Sequence, residues 1–230
     1  MSAVLAVQHA DRVQILSDAF AGRAGTITAI RSKIRTSVRS RIAFAFRGDA
    51  VTGAWLCRSF AFHGWLHGSF DRTFAHVEEY LAKERSSGQR LRFAEIFVAG
   101  ISETRGPITR VFYTTGHGGI EAFKFYMPPK APDGTVYFWS GPRINNIMFR
   151  LSGGLEATGA AIMDQARATA AVDLVQGGEP FLAVGGFAEL VTVTAAGVTR
   201  QKVREWPEDK VGHKINPTAV HDSPPTCGVR

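Results

Sequence analysis

Apolar and polar residues follow a strand-like period over much of the chain. Short segments alternate apolar with polar positions, or stay apolar between turn residues, and this pattern predicts β-strands. The first two and the last two of these segments are separated by short turns, which predicts a β-hairpin near each end of the sequence. The predicted strands are residues 3–9, 12–18, 26–35, 41–47, 92–101, 108–115, 119–126, 135–140, 187–194 and 198–204.

Three other segments have the apolar spacing of an amphipathic helix. The first follows the fourth strand and continues through about residue 67, the second spans 72–86, and the third spans 155–176. Ser69 or Asp71 is placed to cap the second helix at its N-terminus. The element order lacks the regular alternation of a doubly wound parallel sheet. It predicts an α+β fold in which two mostly antiparallel sheets lie between helical layers.

Length and composition are those of one globular domain followed by a short tail. The chain has 230 residues, of which 45% are hydrophobic and 20% charged, so it can bury a large core. We expect a domain over residues 1–205 and a polar, proline-containing, loosely ordered tail over 206–230. No apolar run approaches the ~18 residues of a membrane helix, and the N-terminus lacks a secretory pattern. Cys57 and Cys227 lie far apart and suggest no disulfide framework, so we expect a cytoplasmic location.

The chain is basic, with a formal net charge of +7. Net charge alone is weak evidence for nucleic-acid binding, which also needs a groove-reading helix or aromatic residues between the basic ones. The basic residues between 31 and 47 instead alternate along predicted strands. We therefore do not expect nucleic acid to be a partner.

Ser2 is the first residue that is a candidate for a catalytic role. It follows the initiator Met, which is usually removed when the next residue is this small. Removal would leave an α-amine and a hydroxyl on one residue. An α-amine has a pKa near ~8 and can act as a base near neutral pH, so it could activate the hydroxyl as a nucleophile. The alternative is that Ser2 is an ordinary second residue.

Four further residues are candidates for a site that includes Ser2. Asp18 lies sixteen residues later at the end of the second strand, and Lys33 lies in the third. Gly48 closes the fourth strand, and Ser140 begins a Ser-Gly pair after a later one. This arrangement resembles the proteasome-type branch of the N-terminal-nucleophile (Ntn) hydrolases, which includes proteasome β subunits and bacterial proteasome-like peptidases.

The resemblance implies a role for each of these residues in cleaving peptide bonds. Ser2 would attack the carbonyl carbon, with its own α-amine as base. Lys33 would place positive charge beside the nucleophile, and Asp18 would hold Lys33 charged and oriented. The Gly48 amide would donate to the oxyanion, and Ser140 would hydrogen-bond near the amine. The resemblance implies neither a metal nor a cofactor.

The resemblance covers roughly residues 2–205 and also implies architecture and assembly. The fold would be a four-layer αββα sandwich, and the chain would form a homo-oligomeric ring, with helices making the ring contacts. Substrates would be peptides or unfolded protein, and an unidentified ATPase partner remains open. No membrane association is expected.

Three departures keep a second hypothesis open. The candidate nucleophile is Ser where the family usually has Thr. Phe181 and Val184 stand where the family has an acidic and a hydroxyl residue, and Arg47 stands where it has a small one. A catalytically inactive proteasome-like ring or scaffold subunit would explain them.

Two histidines of the first predicted helix form a weaker candidate site. His63 and His67 are four residues apart and would share one helix face, as a pair of metal ligands can. The sequence suggests no third ligand, so we expect no metal there.

Overall fold

The structure is a computed structural model that describes residues 2–88, 90–116, 119–127, 130, 134–144, 151, 154–172 and 179–217. Over these ranges the chain is α+β, with three helices and three antiparallel sheets, as the order of predicted elements indicates. The strands are β1 (Val4–Gln8), β2 (Arg12–Asp18), β3 (Phe20–Arg23), β4 (Thr26–Ile30), β5 (Ile34–Ser37), β6 (Ile42–Gly48), β7 (Ala94–Ser102), β8 (Gly106–Tyr113), β9 (Val136–Ser140), β10 (Phe187–Thr194) and β11 (Gly197–Glu205). The helices are α1 (Ala50–His67), α2 (Phe70–Ser87) and α3 (Leu155–Ala168).

The first large sheet has the strand order β11-β10-β2-β1-β9. The predicted hairpins β1–β2 and β10–β11 are both present, and β10 pairs with β2 to join them. On β1, Val4 lies opposite Ser17 of β2 on one side and Ser140 of β9 on the other. This register places Ser2, two residues before Val4, beside the end of β2 and close to Ser140.

The second large sheet has the order β5-β6-β7-β8 and corrects one prediction. Residues 26–35 are not one strand but two, because β4 pairs with β3 in a separate small sheet while β5 pairs with β6. Three polar residues, Arg31-Ser32-Lys33, interrupt the alternating pattern between them. Lys33 is therefore not in a strand, and it immediately precedes β5.

Two other predicted elements differ from the structure. Residues 119–126 do not form a strand, since Gly119 and Phe123 have positive φ angles and Tyr126 makes only an isolated bridge with Val111. The third helix ends at Ala168, earlier than predicted. Its predicted last residues, 173–176, lie outside the described residues.

The first part of the tail packs against the domain and is not loosely ordered. Trp206 is buried, and the Asp209 carboxylate accepts two hydrogen bonds from Arg167 of α3, at 2.7 and 2.8 Å. Lys214 forms a bridge with Thr26. A buried ion pair and a buried indole hold residues 206–217 in place; residues 218–230, with Cys227, lie outside the described residues.

Three hydrophobic clusters show where the layers meet. The first joins α1 and α2 to the second sheet, as in the contact of Phe44 with Phe60. The second contains residues from both large sheets, among them Ile15 and Phe97. The third joins α3 to the first sheet through residues such as Ile162. This succession, from two helices to a sheet, to the other large sheet and to α3, is compatible with a layered sandwich. Of the helices in the described residues, none combines the length with the hydrophobicity that crossing a membrane requires.

Candidate active site

Ser2 is buried beside the end of β2, and its backbone is tied down on both sides. The next residue, Ala3, donates its amide to Asp18 Oδ1 at 2.9 Å and accepts the Asp18 amide at 3.3 Å. The Ser2 carbonyl accepts a hydrogen bond from Arg47 Nε at 3.1 Å. The Ser2 hydroxyl donates to the Phe20 carbonyl at 3.4 Å and accepts from Lys33 Nζ. The position of Ser2 is thus set by the chain pairing of β1 and β2 and by a buried arginine.

Asp18 is the point at which several chain segments converge. Its Oδ1 accepts from the Ala3 amide and from Lys33 Nζ, the latter at 2.8 Å. Its Oδ2 accepts from the amides of Phe20 at 2.9 Å and Gly185 at 3.4 Å. The side chain is fully buried, where a carboxylate is tolerated only if it is paired and hydrogen-bonded. Four donors satisfy both of its oxygens.

Lys33 bridges the carboxylate and the hydroxyl. Its ammonium group donates to Asp18 and to Ser2 Oγ, and its side chain is 4% exposed. Burial lowers the pKa of Lys33, the charge and hydrogen bond of Asp18 oppose that effect, and the positive charge of Arg47 adds to it. The net result is a lysine that gives up its proton more readily than usual while touching a hydroxyl.

Arg47 organises a second buried network that the sequence analysis missed. It donates to Glu95 Oε2 at 2.8 Å and to Ser140 Oγ at 2.7 Å, in addition to the Ser2 carbonyl. Ser140 in turn donates to Glu95 Oε2 at 2.5 Å. Arg47 and Glu95 are directly opposite each other on β6 and β7. A basic and an acidic residue, each in an otherwise apolar strand, were the only signal in the sequence.

Ser140 lies near Ser2 in the fold, but its hydroxyl is bonded to this second network. It contacts Arg47 and Glu95, and Arg47 connects it to the Ser2 carbonyl. Tyr113, opposite Glu95 on β8, belongs to the same region. Burial, reinforced by the negative charge of Glu95, raises the pKa of Tyr113 and keeps its phenol protonated.

Gly48 ends β6 in a conformation that favours glycine. Its φ is +103°, and a Cβ atom built there would lie 2.5 Å from the Phe93 carbonyl oxygen. The next residue, Asp49, donates its amide to that same carbonyl at 2.7 Å and caps α1 by accepting from the Thr52 amide. Gly48 is thereby placed on the wall of the cavity that Ser2 also lines.

One cleft connects these groups to solvent. It has a volume of about 1230 Å³, and Ser2, Lys33 and Gly48 all line it. Among the described residues that line it, seven side chains are basic and only Asp49 is acidic. Arg23, Arg31, Lys33, Arg35, Arg47, Arg58 and Arg92 make up the basic set.

The cleft therefore combines a buried hydroxyl in contact with a lysine and a strongly positive wall. Such a lysine can stabilise a developing alkoxide, and the positive wall favours anionic groups on a ligand. Comparison of the chain with known protein families and with curated proteins finds no match to either.

Proposed function

We propose that this protein is a proteasome-like Ntn hydrolase that cleaves peptide bonds, with Ser2 as nucleophile at the start of the mature chain. The observation that carries the proposal is the placement of Lys33 Nζ between Ser2 Oγ and Asp18 Oδ1 on the wall of the cleft. Ser2 and Lys33 line this cleft, and Asp18, buried behind them, holds Lys33 in contact with the Ser2 hydroxyl.

The proposed reaction gives each of these groups a role. The Ser2 α-amine accepts the proton from Ser2 Oγ, directly or through water, and Oγ forms a bond to the substrate carbonyl carbon. The Lys33 ammonium, already donating to Oγ, stabilises the negative charge as it develops. The Gly48 amide donates to the tetrahedral oxyanion, and one such donor is worth about 3 kcal/mol in the transition state.

Collapse of the tetrahedral intermediate completes the first half of the reaction. The carbon–nitrogen bond breaks, the protonated α-amine gives its proton to the leaving amine, and an ester on Ser2 remains. Water then attacks the ester with the same α-amine as base, which releases the acid and restores the hydroxyl. Asp18 keeps Lys33 oriented in both halves.

The proposal includes a four-layer αββα sandwich. It is supported by the three hydrophobic clusters, which join two helices to one sheet, that sheet to the next, and the next to α3. The catalytic groups would then lie at one edge of the two central sheets, since Ser2 precedes β1, Lys33 precedes β5 and Gly48 ends β6.

Peptide or unfolded-protein segments with acidic side chains are the substrates that the cleft fits best. Its described lining is basic, and opposite charge raises both the local concentration and the affinity of a ligand. Lys33, Arg47 and Arg92 are paired with Asp18, Glu95 and Asp49, whereas the other four basic residues of the lining form no ion pair with a carboxylate among the described residues.

A cytoplasmic homo-oligomeric ring is the assembly that we propose. One face of α1 carries large apolar side chains that remain exposed on the isolated chain, which is typical of a surface that meets another protein, and its first two members, Val51 and Trp55, also line the cleft. They are Val51, Trp55, Phe62, Trp65 and Leu66. The same ring could work with an ATPase that delivers unfolded chains.

Intact-mass measurement before and after treatment with an epoxyketone or β-lactone inhibitor tests the proposal. We expect a mature chain that lacks Met1 and gains one adduct, which peptide mapping assigns to Ser2. The Ser2→Ala variant should gain none, and Ser86→Ala, a surface serine on α2, should react like the wild type. Retention of Met1, or an unchanged adduct on Ser2→Ala, would contradict the mechanism and favour a non-catalytic ring or scaffold subunit.

A further inference from the structure

Three histidines from two helices converge at one end of the α1–α2 pair. His63 and His67 lie one turn apart on α1, and His76 lies nearly two turns into α2. One ring nitrogen from each can be chosen so that all three lie within 4.8 Å of one another. The rings of His63 and His76 are stacked with centroids 3.8 Å apart, and that of His67 lies 5.7 Å from His76. The third ligand that the sequence did not suggest is thus supplied by the neighbouring helix.

The turn between the helices holds this arrangement in place. Gly68 ends α1 with a left-handed φ of 63°, and its amide bonds to the Gly64 carbonyl at 3.0 Å. Ser69 then caps α2, accepting the Arg72 amide on its hydroxyl. A connection of only two residues folds α2 back along α1. The backbone of the turn therefore brings the three histidines to the same end of the helix pair.

We propose that His63, His67 and His76 form a binding site for a divalent transition metal, with Zn²⁺ as the first candidate. Imidazole nitrogen suits Zn²⁺, Cu²⁺ and Ni²⁺, whereas Ca²⁺ and Mg²⁺ require oxygen ligands. Three protein ligands on Zn²⁺ leave a fourth position for water or for a group from another molecule. None of the three histidines lines the cleft that contains Ser2, so the site is independent of the proposed hydrolase function.

Only side-chain movement separates this arrangement from a coordination sphere. Zn–N bonds of ~2.0–2.1 Å in a tetrahedron place the nitrogens about 3.3 Å apart. The three nitrogens now lie within 4.8 Å of one another. They would reach the spacing that Zn²⁺ requires if the stacked rings of His63 and His76 turned toward a common point. His67 is exposed and the other two rings are partly exposed, so the surrounding residues leave room for the rotation.

Titration calorimetry of tag-free, metal-free protein with ZnCl₂ tests the site, with the visible absorbance of bound Co²⁺ as a second readout. We expect one Zn²⁺ per chain and the intense absorbance of tetrahedral Co²⁺. Each of His63→Ala, His67→Ala and His76→Ala should weaken Zn²⁺ binding by at least about tenfold, since the loss of even an outer-shell partner typically costs ~10–100-fold. His213→Ala removes an exposed histidine elsewhere and should bind like the wild type.

Thermal melting separates loss of the site from loss of the fold. Zn²⁺ should raise the Tm of the wild type and of His213→Ala but not that of the three cluster variants, whose metal-free Tm should match the wild type. Ser2→Ala should bind Zn²⁺ normally, because the site does not rest on the hydrolase proposal. Absence of binding to the wild type, or equal weakening by His213→Ala, would overturn the assignment.

Discussion

Lys33 Nζ lies 2.8 Å from Asp18 Oδ1, and both side chains are almost completely removed from solvent. Neither charge could be buried alone at acceptable cost, so each depends on the other. The ion pair joins the segment before β5 to the end of β2, which belong to different sheets. It is at once a structural link and the support of the Ser2 hydroxyl.

Removal of the lysine should therefore destabilise the fold. Lys33→Met leaves the Asp18 carboxylate buried with only backbone donors, and we expect a loss of about 3–5 kcal/mol in the free energy of unfolding. Urea denaturation measures it. Lys124→Ala breaks a fully solvent-exposed ion pair with Glu121 and should cause no measurable change.

The matching double variant tests whether the effect comes from the unpaired charge. Lys33→Met combined with Asp18→Asn should be less destabilised than the sum of the two single variants, because no uncompensated charge remains. Strict additivity would show that the two residues act separately and would contradict the interpretation of the pair.

The Gly48 position should tolerate no side chain. Gly48→Ala forces an alanine to a φ of +103° and places its Cβ 2.5 Å from the Phe93 carbonyl oxygen, so we expect a loss of more than about 2 kcal/mol by urea denaturation. Gly106→Ala also has a positive φ, of +73°, but its Cβ meets nothing within 4 Å. It should lose only about 1 kcal/mol, the cost of the backbone conformation. Equal losses would show that the contact with Phe93 is unimportant.

The contribution of Asp49 to the stability of α1 should depend on pH. Burial alone would raise the pKa of Asp49, but hydrogen bonds from the Thr52 amide and hydroxyl and the charge of Arg92 outweigh it and lower the pKa below 3.8. A carboxyl with a lowered folded-state pKa stabilises the protein above pH 3.8 and loses that contribution as the pH falls through the folded value.

Two substitutions separate the cap from the charge. At pH 7, Asp49→Ala should cost about 1 kcal/mol, whereas Asp49→Asn, which also caps helices well, should cost little. Below pH 3.8 the wild type should lose stability relative to Asp49→Asn, as measured by urea denaturation across the pH range. Parallel pH curves for the two proteins would contradict a role for the ionised carboxylate.

The basic cleft should select acidic peptides. A fluorescent peptide with two glutamates should bind Ser2→Ala protein more tightly than its lysine counterpart, and the preference should shrink as salt is raised. Arg58→Glu should weaken binding of the acidic peptide, because Arg58 lines the cleft. Arg72→Glu, on the exposed face of α2, makes the same charge change elsewhere and should leave binding unchanged. If Arg72→Glu weakened binding of the acidic peptide as much as Arg58→Glu, the preference would reflect the net charge of the protein and not the cleft.

The local pattern of the sequence correctly predicted the elements that are specified by residues close together in the chain. The hairpins β1–β2 and β10–β11 have alternating strands and short turns, and α2 begins at its Ser69 cap. The same reasoning failed for residues 26–35, where two short strands of similar pattern belong to different sheets. Alternation specifies extended backbone but not the strand with which that backbone pairs.

The candidate site divides in the same way. The structure brings Ser2, Lys33 and Asp18 into contact, and the sequence grouped these three residues only through the resemblance to a known family. The network of Arg47, Glu95 and Ser140 did not emerge from the sequence, because β6 and β7 pair in one large sheet while β9 belongs to the other, and the three meet only where the two sheets pack. Arg47 looked like a bulky departure and proves to be the link between Ser2 and Ser140.

By itself, the sequence determined the α+β class, the three helices and most of the strands, because periodicity and capping are properties of neighbouring residues. Only the tertiary structure decided which charges are buried together, that residues 206–217 pack against α3, and that His76 faces His63. These outcomes depend on sheet pairing and helix packing between segments that are distant in the sequence. A local pattern does not determine which distant segments come into contact.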